Sequence, residues 1–161
     1  MNIIRTIHYK DLDEINKFIF NEKETFKKFS DLGWSPKNIS SHLLKKNNYS
    51  IGYFVKNKIF GFMIGEKIFY HSECELEVHL MYITKNLRRN RIGSNIMDFI
   101  KINKKSNSIS KIYLEVSENN LQAIKFYEKN NFVFFKFRHN YYKQNNEFID
   151  AKCYSKKLIY E

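Results

Sequence analysis

Arg88, Arg89, Asn90, Arg91, Ile92, Gly93 and Ser94, within ITKNLRRNRIGSNIMDFI, set three arginines and one glycine directly before apolar residues at helical spacing. Amides in the first turn of a helix lack intrahelical partners, and the aligned peptide dipoles favour negative charge there. A short basic loop at such a place can therefore grip a pyrophosphate. It can equally be a solvated basic turn, and the loop alone does not choose. No Gly-Lys-Ser/Thr follows, so it is not a Walker loop, and it lacks the three glycines of a dinucleotide fingerprint. Glu115 at the end of YLEV and Tyr127 in AIKFYEKNNF are groups able to move protons. A strand glutamate more often faces solvent or a lysine, however, and a tyrosine on a buried helix face is more often core.

Other chemistries find less support. His8, His42, His71, His79 and His139 fall at no ligand spacing, so no metal is assigned. Cys74 and His79 are five residues apart on a strand, which sends them to opposite faces and argues against a Cys-His nucleophile. The two cysteines form no CxxC pair and read as free thiols in a reducing compartment.

The elements that must position these residues follow from periodicity. NIIRTIHY reads as a strand, and Asp11 or Asp13 can cap a helix whose Leu12, Ile15, Phe18 and Ile19 share a face. DLGWSPKNISSHLLKK reads as a second helix with Ser35 as N-cap and Pro36 at the first helical position. YSIGYFVKNKIFGFMIGEKIFY is a hairpin turning at Lys56-Asn57-Lys58, and CELEVHLMYI alternates as the strand leading into the arginines. Ile92 to Ile102 is helical, KIYLEV a strand, and NLQAIKFYEK a helix on Leu121, Ile124 and Tyr127, ended by Asn130-Asn131. FVFFKF and DAKCYSKKLIY close the fold as strands on either side of a polar loop, RHNYYKQNNEFI. The order β-α-α-β-β-β-α-β-α-β-β gives an α/β domain with a mixed sheet. No repeat or linker divides residues 1–161, so one domain is expected.

Composition sets the outer bounds. Hydrophobic residues at 43% exclude disorder, and no apolar run is long enough for a membrane span. MNIIRTIHYKDLDEI is broken by charge, so no signal peptide is expected and the protein reads as soluble and cytoplasmic. A net charge of +11 implies an anionic partner, but scattered lysines say little, and the tightest arginine cluster is the loop described above.

Strand end, asparagine loop and AIxFYEKxxF helix, about twenty residues after a basic-glycine loop, resemble the GNAT superfamily of acetyl-CoA-dependent N-acetyltransferases. Within it, GWSPKNI, YLEVSENNLQAIKFYEKNNF and RHNYYKQNNEFIDA are most similar to the RimI-type ribosomal-protein alanine N-acetyltransferases. The resemblance implies the GNAT fold, a mostly antiparallel mixed sheet flanked by helices, and acetyl-CoA as the acetyl donor. Met81, Tyr82 and Ile83 would bond the pantetheine arm through their backbone, Arg88 to Ser94 would hold the pyrophosphate, and Asn120 would hold the arm. Glu115 would be the general base, and Tyr127, beside the cofactor, the general acid for the departing thiolate. Trp34 would help wall the acceptor groove. Apart from the resemblance, Tyr141 and Tyr142 lie in a polar loop, where aromatics more often gate a ligand than fill a core, and Tyr142 is taken as the one that meets the substrate; Glu75 and Glu77 alternate on the preceding strand and face either the acceptor amine or solvent. The superfamily pattern is [RQ]xxGx[GA]; Arg88 and Gly93 fill its ends, while Arg91 stands where the first glycine belongs.

The acceptor implied is the free N-terminal amine of a protein or peptide, possibly a ribosomal protein. A small-molecule amine such as a polyamine or an antibiotic is the alternative. A basic nucleic-acid-binding module is a remote third reading, because the aromatics fall mainly at core periodicity; neither nucleic acid nor membrane is expected as a partner.

Overall fold

The computed structural model describes residues 2–22, 27, 30, 33–71, 73–102, 109–144 and 146–159. Along them run β1 (Asn2–Ile7), α1 (Leu12–Asn21), α2 (Pro36–Leu43), β2 (Ser50–Val55), β3 (Lys58–Tyr70) and β4 (Glu73–Ile83). Then come α3 (Ile92–Ile102), β5 (Ile109–Ser117), α4 (Leu121–Lys129), β6 (Val133–Gln144) and β7 (Glu147–Lys157), which is the order expected from the sequence. Asp31 and Leu32, expected in the second helical segment, and Tyr160, expected in the last strand, lie outside the described residues.

Local chemistry accounts for the boundaries. The Ser35 hydroxyl accepts from the Asn38 amide at 3.2 Å, and Pro36 follows at the first helical position, where its missing N–H costs nothing. Lys56 and Asn57 both have positive φ (48° and 65°), the backbone a two-residue hairpin loop needs to match strand twist. Leu121, expected on the buried face of α4, is exposed in its first turn; Ile124 and Tyr127 carry the burial instead.

The strands form one sheet in the order β1-β2-β3-β4-β5-β7-β6, parallel between β4 and β5 and antiparallel elsewhere. One core joins the sheet to α3 and α4 through Ile92, Ile96, Met97, Ile100, Ile124 and Tyr127. The other joins the opposite face to α1 and α2 through Ile15, Phe18, Ile19, Ile39 and Leu43. Among the described residues no helix is long and apolar enough to cross a membrane.

Two irregularities shape the site. Against β3, Val78 pairs with Gly65 and Leu80 with Ile64, so His79 is an extra residue on β4. Strand alternation would keep Leu76, Val78, Leu80 and Tyr82 on one face, but the bulge sends the first two to one core and the last two to the other. Gly65 belongs there because an added Cβ would come within 2.8 Å of the Glu77 carbonyl oxygen. The β4–β5 ladder stops at Val78 and Leu114. Beyond it, β4 stays with β3 as far as Ile83 while β5 stays with β7 as far as Ser117. The sheet parts between them, at the carboxyl ends of its two parallel strands, which is where open α/β sheets place their ligands.

Most of the polar loop expected at RHNYYKQNNEFI is instead strand: 138–144 lie in β6 and 147–149 in β7, while Asn145 lies outside the described residues. Arg138 pairs with Ala151 and Tyr142 with Ile149, so residues 139 to 141 oppose Asp150 alone. That wide bulge is held by the Asp150 carboxylate, which accepts from the Asn140 amide at 2.9 Å and binds His139 Nδ1 at 2.6 Å. Polar residues satisfied inside a bulge carry no strand alternation, which is why the pattern reads as a loop.

Candidate active site

The arginine loop has an unusual backbone. Arg89 and Arg91 both lie in the left-handed region, with φ of 65° and 59°. A chain that turns this way directs successive amides to one side, forming an anion-binding nest. The Arg91 carbonyl accepts from the Asn95 amide at 2.9 Å, closing the first turn of α3. The amides of Ile92, Gly93 and Ser94 fall in that turn, where helix geometry supplies them no acceptor. Gly93 has no positive φ; its value is closeness. A Cβ there would meet the Phe126 ring at 3.0 Å and the Met81 methyl at 3.2 Å, so the glycine lets α3 sit against α4 and the end of β4.

The arginine side chains differ in use. Arg88 turns back to β4, donating from Nε to the Ile83 carbonyl at 3.0 Å with its guanidinium 5.4 Å from the Tyr82 ring centre. Arg89, Asn90 and Arg91 are exposed. Tyr82 points its hydroxyl to Glu22 at 2.8 Å on the α1 side, leaving its backbone rather than its phenol for the opening. Asn120 is the N-cap of α4, its side-chain oxygen accepting from the Ala123 amide at 3.2 Å. A capping role therefore occupies the oxygen of the residue expected to hold the cofactor's arm, and the side-chain amide remains to donate.

Tyr127 is buried against Phe126 and Phe132, with ring centres 5.2 and 5.5 Å away. Burial pushes its phenol up to about 12, because the phenolate would lose its hydration. The group thus stays protonated at any physiological pH.

On the α1/α2 side of the opening lies a pocket of about 410 Å³ lined by Trp34, Glu77, Val78, His79, Leu80, Glu115, Tyr141, Tyr142 and Lys143. It brings together Trp34, Glu115 and Tyr142, three residues expected from the sequence to face an acceptor or act on it. Glu115 is held by Arg138, which donates to its Oε1 at 2.8 Å. The Arg138 guanidinium lies 4.0 Å over the Tyr141 ring. Tyr142 donates to the Glu115 main-chain carbonyl at 3.4 Å. Burial pushes the Tyr141 phenol up to about 12 and raises that of Tyr142 further, so both are neutral donors. Glu77 shares the pocket; burial, then the charges of Glu115 and Glu66, lift its carboxyl above its ordinary value.

Sequence reasoning gave no role to Arg138 or Lys143 and left Glu77 undecided. Strand alternation was the available signal for Glu77, and it could not say which face looks into an opening. The histidines, unremarkable by spacing, are not all scattered in space. His42 on α2 and His79 on β4 have ring centres 5.3 Å apart, and Trp34 is 5.6 Å from each. Cys74 faces the α3/α4 core while His79 sits across the sheet, so the two are on opposite faces as expected.

The arrangement can hold an anionic, extended ligand by main-chain amides on one side and a cationic group between carboxylates and aromatic rings on the other. The profile of the Acetyltransferase (GNAT) family matches residues 9–132. No curated protein matches the sequence. Among solved structures, a probable acetyltransferase from Staphylococcus epidermidis superposes with a TM-score of 0.81 at 17% identity, over 99% of this chain and 100% of that one. Arabidopsis thaliana NAA60 in complex with acetyl-CoA gives 0.78 at 14% identity, over 98% and 99%. The ribosomal-protein-S18-alanine N-acetyltransferase from Escherichia coli gives 0.74 at 18% identity, over 100% and 96%.

Proposed function

Because the chain belongs to the GNAT acetyltransferase family and is an acetyl-CoA-dependent N-acetyltransferase, we propose that its acceptor is the free α-amino group of a protein N-terminus, in the manner of the RimI type. The observation that carries this reading is the pocket at the parting of β4 and β5, where Glu77 and Glu115 face an opening walled by Trp34, Tyr141 and Tyr142. Two carboxylates attract the ammonium form, and flat aromatic walls leave room for an extended peptide. The fold neighbour from Escherichia coli is named for acetylating an alanine of a ribosomal protein, which fits the same acceptor class.

Acid–base chemistry suits that acceptor. A free α-amine has a pKa of about 7.7–8.0, so on the order of a tenth is already neutral at pH 7, whereas lysine at about 10.4 is neutral to less than one part in about a thousand. The amine nitrogen forms a bond to the thioester carbonyl carbon while the carbon–sulfur bond breaks. Glu115 takes the proton released by the amine, directly or through water, and Tyr127 gives its phenolic proton to the leaving thiolate. Arg138 keeps Glu115 oriented for that step. The loop from Arg88 to Ser94 holds the pyrophosphate of the donor, Met81 to Ile83 its pantetheine arm through the backbone, and Asn120 the arm through its side-chain amide.

Residues 1–161 are read as one acetyltransferase domain working in the cytoplasm. The roles are tested by Glu115→Gln and Tyr127→Phe, each expected to lower kcat on an alanine-initiated peptide by about 10²-fold or more while leaving acetyl-CoA binding intact. Turnover near wild type in both variants contradicts the assignment.

A further inference from the structure

Set beside the acceptor pocket, and used by none of the chemistry above, His42, Glu66 and His79 converge from α2, β3 and β4. One ligand atom from each lies within 4.8 Å of the others. We propose that these three residues bind a single divalent transition-metal ion of the zinc class at the wall of the acceptor pocket.

Two imidazoles and a carboxylate form a donor set that holds zinc in three-ligand sites with one position left open. The stronger argument is how two of the three donors are held from behind. His42 Nε2 lies 3.0 Å from the Gly65 carbonyl oxygen, which can only accept, so the proton is on Nε2 and Nδ1 carries the lone pair. Lys45 Nζ donates to Glu66 Oε2 at 2.8 Å, and Glu66 Oε1 lies 3.7 Å from His79 Nε2. The other nitrogen of His79, Nδ1, lies 3.9 Å from a Glu77 carboxylate oxygen. A backbone carbonyl behind His42 and a cation fixing the ligating glutamate are outer contacts of the kind that orient metal ligands, with the Glu77 carboxylate near His79 but beyond hydrogen-bond distance.

Zinc–ligand bonds of about 2.0–2.1 Å would draw the donor atoms to roughly 3.3 Å from one another. Half-buried Glu66 and His79 have room to make most of that adjustment. The charge of Lys45 opposes the ion, and the carboxylates of Glu66 and Glu77 offset it. No spacing rule finds this site, because its ligands come from three elements and His79 owes its position to the β4 bulge. The competing account is packing alone: two imidazole rings and the Trp34 indole meeting near 5.5 Å.

Tag-free protein stripped with a chelator and titrated with Zn²⁺ by calorimetry should take up one ion per chain. Co²⁺ in its place should give visible d–d absorption and change the emission of Trp34, the only tryptophan in the chain. His79→Ala and the near-isosteric Glu66→Gln should each weaken binding at least tenfold. His139→Ala, which dismantles the separate surface pair with Asp150, should leave it unchanged. No saturable binding at one equivalent overturns the proposal. So does binding that survives both His79→Ala and Glu66→Gln, or binding lost with His139 instead.

Discussion

On one side of the parted sheet, Arg88 to Ser94 follow one another in the chain and offer main-chain amides. On the other, Trp34, Glu77, Glu115 and Tyr142 come from four separate segments and offer side chains. An amide nest depends on backbone conformation, and many side chains can ride on it. That explains how Arg91 occupies a left-handed position that superfamily members fill with glycine. The other side has no such tolerance, since its lining works through particular side chains, two of them carboxylates and one of those paired with Arg138. The donor side should therefore fail through shape and the acceptor side through chemistry.

The largest effect expected is on the acceptor side. Glu115→Gln should reduce kcat by about 10²-fold with little change in the KM for acetyl-CoA. If it raised that KM while sparing kcat, the two sides would not be separable as described. Gly93→Val is the converse experiment. Methyl groups forced against the Phe126 ring and the Met81 methyl cost about 1–3 kcal/mol, so the KM for acetyl-CoA should rise roughly tenfold while the peptide KM hardly moves.

A third prediction concerns Tyr127 and alkaline pH. Its folded pKa of about 12 exceeds the ordinary 10.0, so between those values the unfolded chain releases a proton that the folded chain retains. Stability tied to this group is complete below pH 10 and is lost as pH rises towards 12. Chemical denaturation across that range should show a steeper decline in wild type than in Tyr127→Phe; identical slopes would contradict a buried, neutral phenol. The smallest effect is expected at Arg91. Replacement by Gly removes a left-handed cost of about 1–2 kcal/mol, partly offset by the greater freedom of glycine in the unfolded chain. Stability should hold or rise slightly, and the preference for coenzyme A over its 3′-dephospho form should fall if the guanidinium reaches the 3′-phosphate.

The same contrast governs what the sequence made legible. Element order came through because periodicity and caps are local: Ser35 and Pro36 start α2, and Lys56-Asn57 turn the hairpin. The arginine loop was legible as a strand–loop–helix junction because it is contiguous. Two bulges did not. One inserts His79 into β4 and moves Leu80 to the opposite face from Val78; the other sets residues 139 to 141 against Asp150 and turned most of an expected loop into strand. Each depends on pairing with a distant partner, and alternation within one strand cannot reveal it. Arg138 at 2.8 Å from Glu115, and His42 beside His79, were invisible for the same reason.

The acceptor assignment is tested most directly by mass spectrometry of three substrates offered together with acetyl-CoA. These are an alanine-initiated peptide, the same peptide N-terminally blocked but carrying an internal lysine, and free spermidine. The account predicts acetylation at the α-amine of the first peptide and little on the other two. Faster transfer to spermidine or to the internal lysine would contradict it.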